Sequence, residues 1–326
     1  MNDIRILKRD DAVALLDNEE LKIIDIVKST YILHQQNKTV LPYSSFLRFN
    51  NNTLNRIIAL PAYIDKGEGL AGVKWISSFP GNIFKNMERA SAVCIVNDTL
   101  TGRVKGILEG AVISAERTAA SAALAASILH KKSDEDTLGI IGCGYINNTV
   151  IKYLIKIFPN INRLVIYDTN IERAQCYQNE NVSNIEIVNS VNALFMKSSL
   201  VSVATTASQP YISLDNVGET EHTILNISLR DFDTDIMLAA TNIVDDINHV
   251  CRENTSIHLA EQILHSREFI DASLGELLDG KKICDSKRNV IFSPFGLGIL
   301  DLNLCSYVLD KASNLNKGIL IENFYE

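Results

Sequence analysis

The stretch Thr137-Leu138-Gly139-Ile140-Ile141-Gly142-Cys143-Gly144-Tyr145-Ile146-Asn147 decides how the rest of the chain is read. A short apolar run passes directly into two glycines and then into a helix-like segment. That order is the opening strand–turn–helix of a doubly wound parallel sheet. The first glycine permits a tight turn. The second removes the side chain where backbone must approach a pyrophosphate, and the N–H groups and dipole at the helix start attract phosphate. Asn147 stands where a third glycine would let helix and strand pack closely, so slightly wider packing is expected there.

The next apolar strand ends at Asp168, 24 residues past Gly144. A carboxylate there accepts hydrogen bonds from ribose hydroxyls and repels a 2′-phosphate, which favours NAD over NADP. The alternative for Asp168 is a plain helix N-cap. Strand–helix alternation continues outward, with apolar strands at 137–141, 163–167, 185–188, 200–205, 223–227, 243–244 and 290–292. Helices are expected at 149–158, 231–239 and 300–311, the last returning toward the first domain. Thr205 and Thr206 close the fourth strand, either on the nicotinamide side of a cofactor or as a polar loop.

The N-terminal part has another texture. Residues 10–36 carry Leu21, Ile24, Val27 and Tyr31 at helical spacing. Short β-like runs follow at 45–49, 56–60, 69–77, 90–96 and 103–109, with a hairpin turn in Asn97–Gly102. Many strands in succession predict an antiparallel or mixed sheet. The alanine-rich run 114–130 predicts a long helix with Ser114 as N-cap. The fold class is therefore α/β, a Rossmann-type doubly wound parallel sheet plus a mixed-sheet domain for substrate and dimerisation. The expected domains are residues 1–115 with 300–326, and residues 116–299.

The bulk numbers agree with this layout. The chain has 326 residues, and its 31 basic against 39 acidic side chains give a net charge of -8. That balance argues against a nucleic-acid groove, which needs clustered Lys and Arg. No signal-like N-terminus is seen, and no window is read as a membrane span. The six cysteines stand singly, with no C-x-x-C pair, so no metal site is expected and reduced thiols in a cytoplasmic protein are.

Two cations interrupt apolar runs: Arg48 in Ser45-Phe46-Leu47-Arg48-Phe49, and Lys74 in Gly72-Val73-Lys74-Trp75-Ile76. Each is either a solvated position or part of a site, where Arg forks onto carboxylate and a buried Lys moves protons. Arg117 and Thr118 are read as opening the alanine-rich helix, where an anion can bind. Arg89 is read as an anion contact or a surface ion pair. Asp231 follows a strand end and is either a catalytic carboxylate or an N-cap.

With these residues on the page, the chain resembles the ornithine cyclodeaminase/μ-crystallin family over nearly its whole length. The stretches that carry this are Gly72–Ile76, Asn86-Met87-Glu88-Arg89-Ala90-Ser91, Glu116-Arg117-Thr118-Ala119-Ala120, Ile140–Gly144, Gln209-Pro210-Tyr211-Ile212 and Asn226-Ile227-Ser228. The first two are most similar to a branch serving siderophore and antibiotic pathways. That branch oxidises N-(2-amino-2-carboxyethyl)-L-glutamate and releases L-2,3-diaminopropionate and 2-oxoglutarate. The resemblance implies a homodimer built through the first domain and a small amino-acid-derived substrate. It implies that Arg48, Lys74 and Arg117 hold a carboxylate, that Asp231 and Lys74 move protons, and that Phe295 meets substrate. It assigns NAD to Arg117, Thr118, Gly142, Cys143, Gly144, Tyr145, Ile146, Asp168, Thr205, Thr206, Ser228 and Pro294. Asn147 and Asp235 depart from the family pattern, Asp235 standing where cyclodeaminases carry lysine. Ornithine cyclodeaminase, an imine reductase or amino-acid dehydrogenase, and a non-catalytic ligand carrier are the alternatives.

Overall fold

The computed structural model describes residues 2–218, 221–284 and 288–326. The chain divides into two units, Met1–Arg117 with Leu297–Glu326, and Thr118–Gly296. In chain order, the elements up to the boundary are β1 (Ile4–Leu7), α1 (Arg9–Leu16), α2 (Glu20–Gln35), β2 (Thr39–Val40), β3 (Ser45–Phe49), β4 (Asn52–Ile64), β5 (Leu70–Ser78), β6 (Ala90–Asn97), β7 (Val104–Glu109) and α3 (Gly110–Leu129). Next come β8 (Thr137–Ile141), α4 (Tyr145–Ile157), β9 (Arg163–Tyr167), α5 (Ile171–Gln175), β10 (Asn184–Ile187), α6 (Val191–Phe195), β11 (Leu200–Val203), α7 (Leu214–Val217) and β12 (Thr223–Asn226). The chain closes with α8 (Thr234–Ala239), β13 (Thr241–Val244), α9 (Ile247–Val250), α10 (Ser256–Leu264), β14 (Ile270–Ser273), α11 (Leu274–Leu278), β15 (Val290–Ser293), α12 (Gly298–Asn314) and β16 (Ile319–Ile321).

The first unit is a mixed sheet in the order β16-β1-β7-β6-β5-β4-β2, with β3 also paired to β4. Only β1 and β7 run parallel; the other pairs are antiparallel. Because side chains alternate along a strand, Lys74 shares one face with Leu60 and Cys94, its direct neighbours across the ladder. The C-terminal helix α12 lies on that face and against α2.

The second unit is an all-parallel sheet in the order β10-β9-β8-β11-β12-β15-β13-β14. Its strands β8, β11 and β12 are buried along their whole length, as expected with helices on both faces. The order reverses between β8 and β11, where an open parallel sheet leaves a crevice beyond its strand ends.

Several sequence expectations change. The helix read over 10–36 is two helices, broken where Asn18 turns left-handed (φ 57°). Helix α3 starts at Gly110, so Ser114 is interior and not its N-cap. The Glu109 carboxylate does the capping, accepting from the N–H groups of Ala111 (2.8 Å) and Val112 (3.1 Å). Arg117 and Thr118 therefore sit two turns inside the helix, away from its dipole end. Helix α4 starts earlier than expected, at Tyr145, and α8 later, at Thr234. Helix α3 is also long and apolar enough to cross a membrane by composition, contrary to the sequence reading; here it is mostly buried in the protein.

A buried carboxylate pins the N-terminal edge of the second sheet. Glu135 accepts from the Ser199 hydroxyl, from the Thr137 N–H (3.2 Å) and from His130 Nε2 (3.2 Å). Burial opposes its charge, but these hydrogen bonds outweigh burial and hold its pKa at about 2. A carboxylate with a depressed folded pKa stabilises fully above its ordinary value and loses that contribution as pH falls. The fold should thus lose stability between its ordinary pKa of 4.5 and about 2. In Glu135→Gln, denaturant unfolding followed across that range should show a shallower acid dependence than wild type. An unchanged acid slope would contradict this assignment.

Candidate active site

Unit 1 holds a buried charge cluster. Lys74 Nζ donates to Asp301 Oδ2 at 2.8 Å and to Ser114 Oγ at 3.2 Å. Arg117 Nε donates to Asp301 Oδ1 at 3.2 Å, and its Nη2 to Ser114 Oγ at 3.3 Å. The side chains are only 3%, 1% and 10% exposed for Lys74, Asp301 and Arg117. Burial alone would raise the Asp301 pKa, but Arg117 and then Lys74 outweigh it and hold it low. Lys74 is pulled below the usual ammonium range, chiefly by loss of hydration, with Arg117 adding to the effect and Asp301 opposing it. With both cations charged, the cluster carries one net positive charge, which suits a ligand carboxylate.

Asp301 escaped sequence reading. It sits in the first turn of α12 inside the apolar run Gly298-Ile299-Leu300-Asp301-Leu302, and that isolated acid was the available signal. Arg48 is not part of this cluster. It is exposed on β3, with its guanidinium 5.2 Å from the centre of the Phe46 ring.

In unit 2 the candidate residues collect at the carboxyl ends of the parallel strands. Gly142 follows β8 with φ +94°, and a Cβ there would lie 2.4 Å from the Ala204 carbonyl oxygen. Only glycine fits that position. A Cβ on Gly144 would meet nothing within 4 Å, so the backbone is open to a ligand there. Gly144 precedes α4 and no side chain caps this helix, leaving its N-terminal dipole facing outward. Tyr145 is exposed and Ile146 half-buried. This open, side-chain-free turn fits a dinucleotide pyrophosphate.

Asn147 is fully buried and works as a clamp. Its Nδ2 donates to the carbonyls of Ile141 (2.9 Å) and Gly142 (2.7 Å), and its Oδ1 accepts from Ser202 (2.7 Å). The missing third glycine is thus replaced by three hydrogen bonds that tie turn, helix and β11 together. Asp168 also reaches the turn: its Oδ2 accepts the Cys143 N–H at 2.9 Å, and its Oδ1 accepts the Asn170 N–H at 2.8 Å. It is not the cap of α5, which is Asn170. Burial, then the Asp168 charge, pushes the Cys143 thiol up to about 12.

Asp231 has no exposure at all. Its Oδ1 accepts from the Thr205 hydroxyl, while its Oδ2 is buried without a hydrogen-bond partner among the described residues. Its backbone carbonyl accepts the N–H groups of Tyr211 and Ile212, both at 2.9 Å. Asp231 is not the helix cap either, since α8 begins after Asp233. The Tyr211 phenol is pushed up, first by burial and then by the Asp231 charge. Thr206 is exposed, and the Ser228 hydroxyl is committed to the Val203 carbonyl at 3.1 Å.

The Pro294-Phe295-Gly296 turn after β15 is held by a carboxylate that sequence reasoning did not single out. Asp245, buried at the end of β13, accepts from Phe295 N–H (3.0 Å) and Gly296 N–H (2.7 Å). Asp235 accepts the N–H groups of Leu214 (3.2 Å) and Ile236 (2.7 Å). Thr118, half-buried in α3, belongs to this unit.

A sequence model of the ornithine cyclodeaminase/mu-crystallin family matches residues 19–316. The chain belongs to that family. This family member is 31% identical to N-((2S)-2-amino-2-carboxyethyl)-L-glutamate dehydrogenase of Staphylococcus aureus over 333 residues, covering 98% of each chain. Among solved structures, it matches Δ1-pyrroline-2-carboxylate reductase of Thermococcus litoralis, a complex with NADH and L-proline. The TM-score is 0.88 at 24% identity, covering 97% of this chain and 99% of that one. An archaeal alanine dehydrogenase dimer with bound NAD matches with a TM-score of 0.86 at 23% identity, covering 98% and 99%. The expected fold class, a doubly wound parallel sheet beside a mixed sheet, is the one observed.

Removing one member of a buried ion cluster leaves a charge uncompensated, at a cost of about 3–5 kcal/mol. Asp301→Asn keeps the shape and deletes the charge, so its urea midpoint should fall by that much stability. A variant as stable as wild type would show that Lys74 and Arg117 do not depend on this carboxylate.

Proposed function

We propose that this protein is an NAD-dependent dehydrogenase of a secondary amine, N-((2S)-2-amino-2-carboxyethyl)-L-glutamate. The products are L-2,3-diaminopropionate and 2-oxoglutarate, the former destined for siderophore or antibiotic assembly. The observation that carries this reading is the buried Lys74–Asp301–Arg117 cluster with its surplus positive charge, a receptor for an amino-acid carboxylate. The 31% identity to a dehydrogenase of that amine, over 98% of both chains, supports the choice of substrate.

Bound NAD supplies the acceptor for the hydride on the glutamate Cα. Gly142, Gly144 and the start of α4 receive its pyrophosphate, and Asp168 its ribose hydroxyls. Lys74 and Arg117 grip the α-carboxylate and fix the Cα–H. The oxidised carbon–nitrogen bond is then hydrolysed, and one water supplies the oxygen of 2-oxoglutarate. Asp231 takes the proton from that water, with its Oδ1 held by the Thr205 hydroxyl and its Oδ2 left to accept. Lys74, with its depressed pKa, returns a proton to the departing amine.

The protein also acts as a cytoplasmic homodimer. Six free cysteines suit a reducing compartment. The sheet face of unit 1 opposite α12 presents Leu47, Ile57, Tyr63, Val73, Trp75 and Val93, with Trp75 44% and Leu47 49% exposed. An apolar face of that size is a subunit interface.

Incubation of enzyme, NAD and the synthetic amine should give a stoichiometric rise in NADH absorbance. Lys74→Met and Asp231→Asn should each lose at least about 100-fold in turnover, the scale of a general acid–base contribution, with NAD affinity retained. Proline from ornithine without net NADH would make the protein a cyclodeaminase instead. NADH binding without turnover of any amine would make it a carrier. For the assembly, Trp75→Glu should convert a dimeric sedimentation profile into a monomeric one; wild type sedimenting as a monomer would refute the dimer.

A further inference from the structure

Thr205, Tyr211 and Asp231 form a small polar group in unit 2, and the proposed reaction gives Tyr211 no part in it. Two backbone segments bring the group together. Ile212 and Phe232 pair as an isolated parallel bridge, and both side chains join the apolar core. Side chains alternate along extended backbone, so the residues just before them, Tyr211 and Asp231, turn to the opposite side. The Asp231 carbonyl accepts the N–H groups of both Tyr211 and Ile212 at 2.9 Å, which fixes this register. Thr205, past the end of β11, closes the group by donating its hydroxyl to Asp231 Oδ1.

The Tyr211 phenol is part of the same group. Besides burial, the side chains that act on it are Asp231, Thr205 and Tyr167, the last at the end of β9. Burial first, and the Asp231 charge next, keep the phenol neutral, while Thr205 works the other way. A neutral phenol both donates and accepts a hydrogen bond.

Burial sets the problem that this phenol answers. Asp231 has no exposure at all, and its Oδ2 has no hydrogen-bond partner among the described residues. A carboxylate that acts as a base gains one proton per turnover and must lose it before the next. The overall reaction has the same requirement. The protonated amine, NAD+ and water give 2-oxoglutarate, the protonated primary amine, NADH and one free proton. Asp231 makes no contact with bulk solvent, whereas Tyr211 beside it is 37% exposed.

We infer that Tyr211 is a proton relay, its phenol carrying the proton of Asp231 out to solvent. The inference rests on the reading of Asp231 as the base. In this step the proton on Asp231 Oδ2 passes to the phenol oxygen while the phenol's own proton passes to an outside water. The O–H then rotates back. The phenol is neutral before and after, the carboxylate regains its charge, and no oxidant or reductant takes part. Thr205 keeps Oδ1 engaged, which directs the proton to Oδ2. Tyr211 acts on the substrate only through Asp231.

The test uses the full-length protein with NAD and the amine. Tyr211→Phe removes only the hydroxyl. Its kcat should fall about 10- to 100-fold, up to the lower end of an acid–base contribution, with KM and NADH affinity kept. Imidazole, a small carrier that titrates near neutrality, should restore the lost rate in a saturable manner and leave wild type unchanged. Tyr211→His, which supplies a titrating ring, should keep part of the rate without imidazole. A Tyr211→Phe variant with wild-type kcat would overturn the relay, and so would a loss that imidazole does not restore. A second readout needs no turnover. Tyrosinate absorbance at about pH 11, taken as the difference between a protein and its Tyr211→Phe form, isolates this phenol. Asp231→Asn deletes the neighbouring charge, so the phenol should ionise at lower pH there than in wild type. An unchanged titration would show that the two groups do not face each other, and the relay would fall. The outcomes separate from those of the proposed reaction. Wild type forming no NADH from the amine, with the tyrosinate shift present, discards the reaction and retains the coupled pair. NADH formed equally by wild type and Tyr211→Phe does the reverse.

Discussion

Asp301 sits in the first turn of α12 with both carboxylate oxygens spoken for, one by Lys74 and one by Arg117. Burial disfavours the charge on the Lys74 ammonium and on the Asp301 carboxylate, and each is favoured by its opposite partner. The three residues come from β5, α3 and α12, so one carboxylate fixes two strand and helix positions that are far apart in sequence. Such a cluster adds little net stability, because desolvation consumes most of the attraction. What it provides is position. The ammonium and guanidinium are held in fixed places, on a rigid sheet and helix, before any ligand arrives.

The second unit follows the same logic with backbone donors. Asn147, Asp168 and Asp245 each spend their side-chain acceptors or donors on turns at the strand ends. The loops at those ends are therefore built rather than loose. Asp231 is the exception, with one oxygen engaged by Thr205 and the other left over. A fully buried carboxylate oxygen without a partner is expensive, and in a site such a cost is accepted where a proton must be taken up.

Local patterns exposed much of this to sequence reading. The parallel sheet was legible because its strands are continuous apolar runs separated by helices, and the turn because two glycines follow such a run. Lys74 stood out as a charge among apolar neighbours. Long-range partners did not stand out. Asp301 is 227 residues from Lys74, and a single acid in a helix start reads as ordinary N-terminal decoration. Asp245 was not singled out, because the turn that it holds lies 50 residues away. The short strands β1 and β16 pair with each other across the whole chain, so neither carried a recognisable local signal. The start of α3 was misplaced because its cap is a glutamate, outside the usual Ser, Thr, Asp and Asn set. Asn147 was read as a departure from the glycine pattern with slightly wider packing, because its hydrogen bonds to Ile141, Gly142 and Ser202 come from the fold.

The environment of Cys143 has a chemical corollary. Thiol reagents attack thiolate, and a thiol held at about 12 presents almost none at neutral pH. The glycine turn therefore carries a sulfur that is inert to alkylation and to mild oxidants. Cys176, by contrast, is exposed. Maleimide dyes or spin labels can be attached at Cys176 without touching the turn, giving the native chain an optical or magnetic handle away from those glycines.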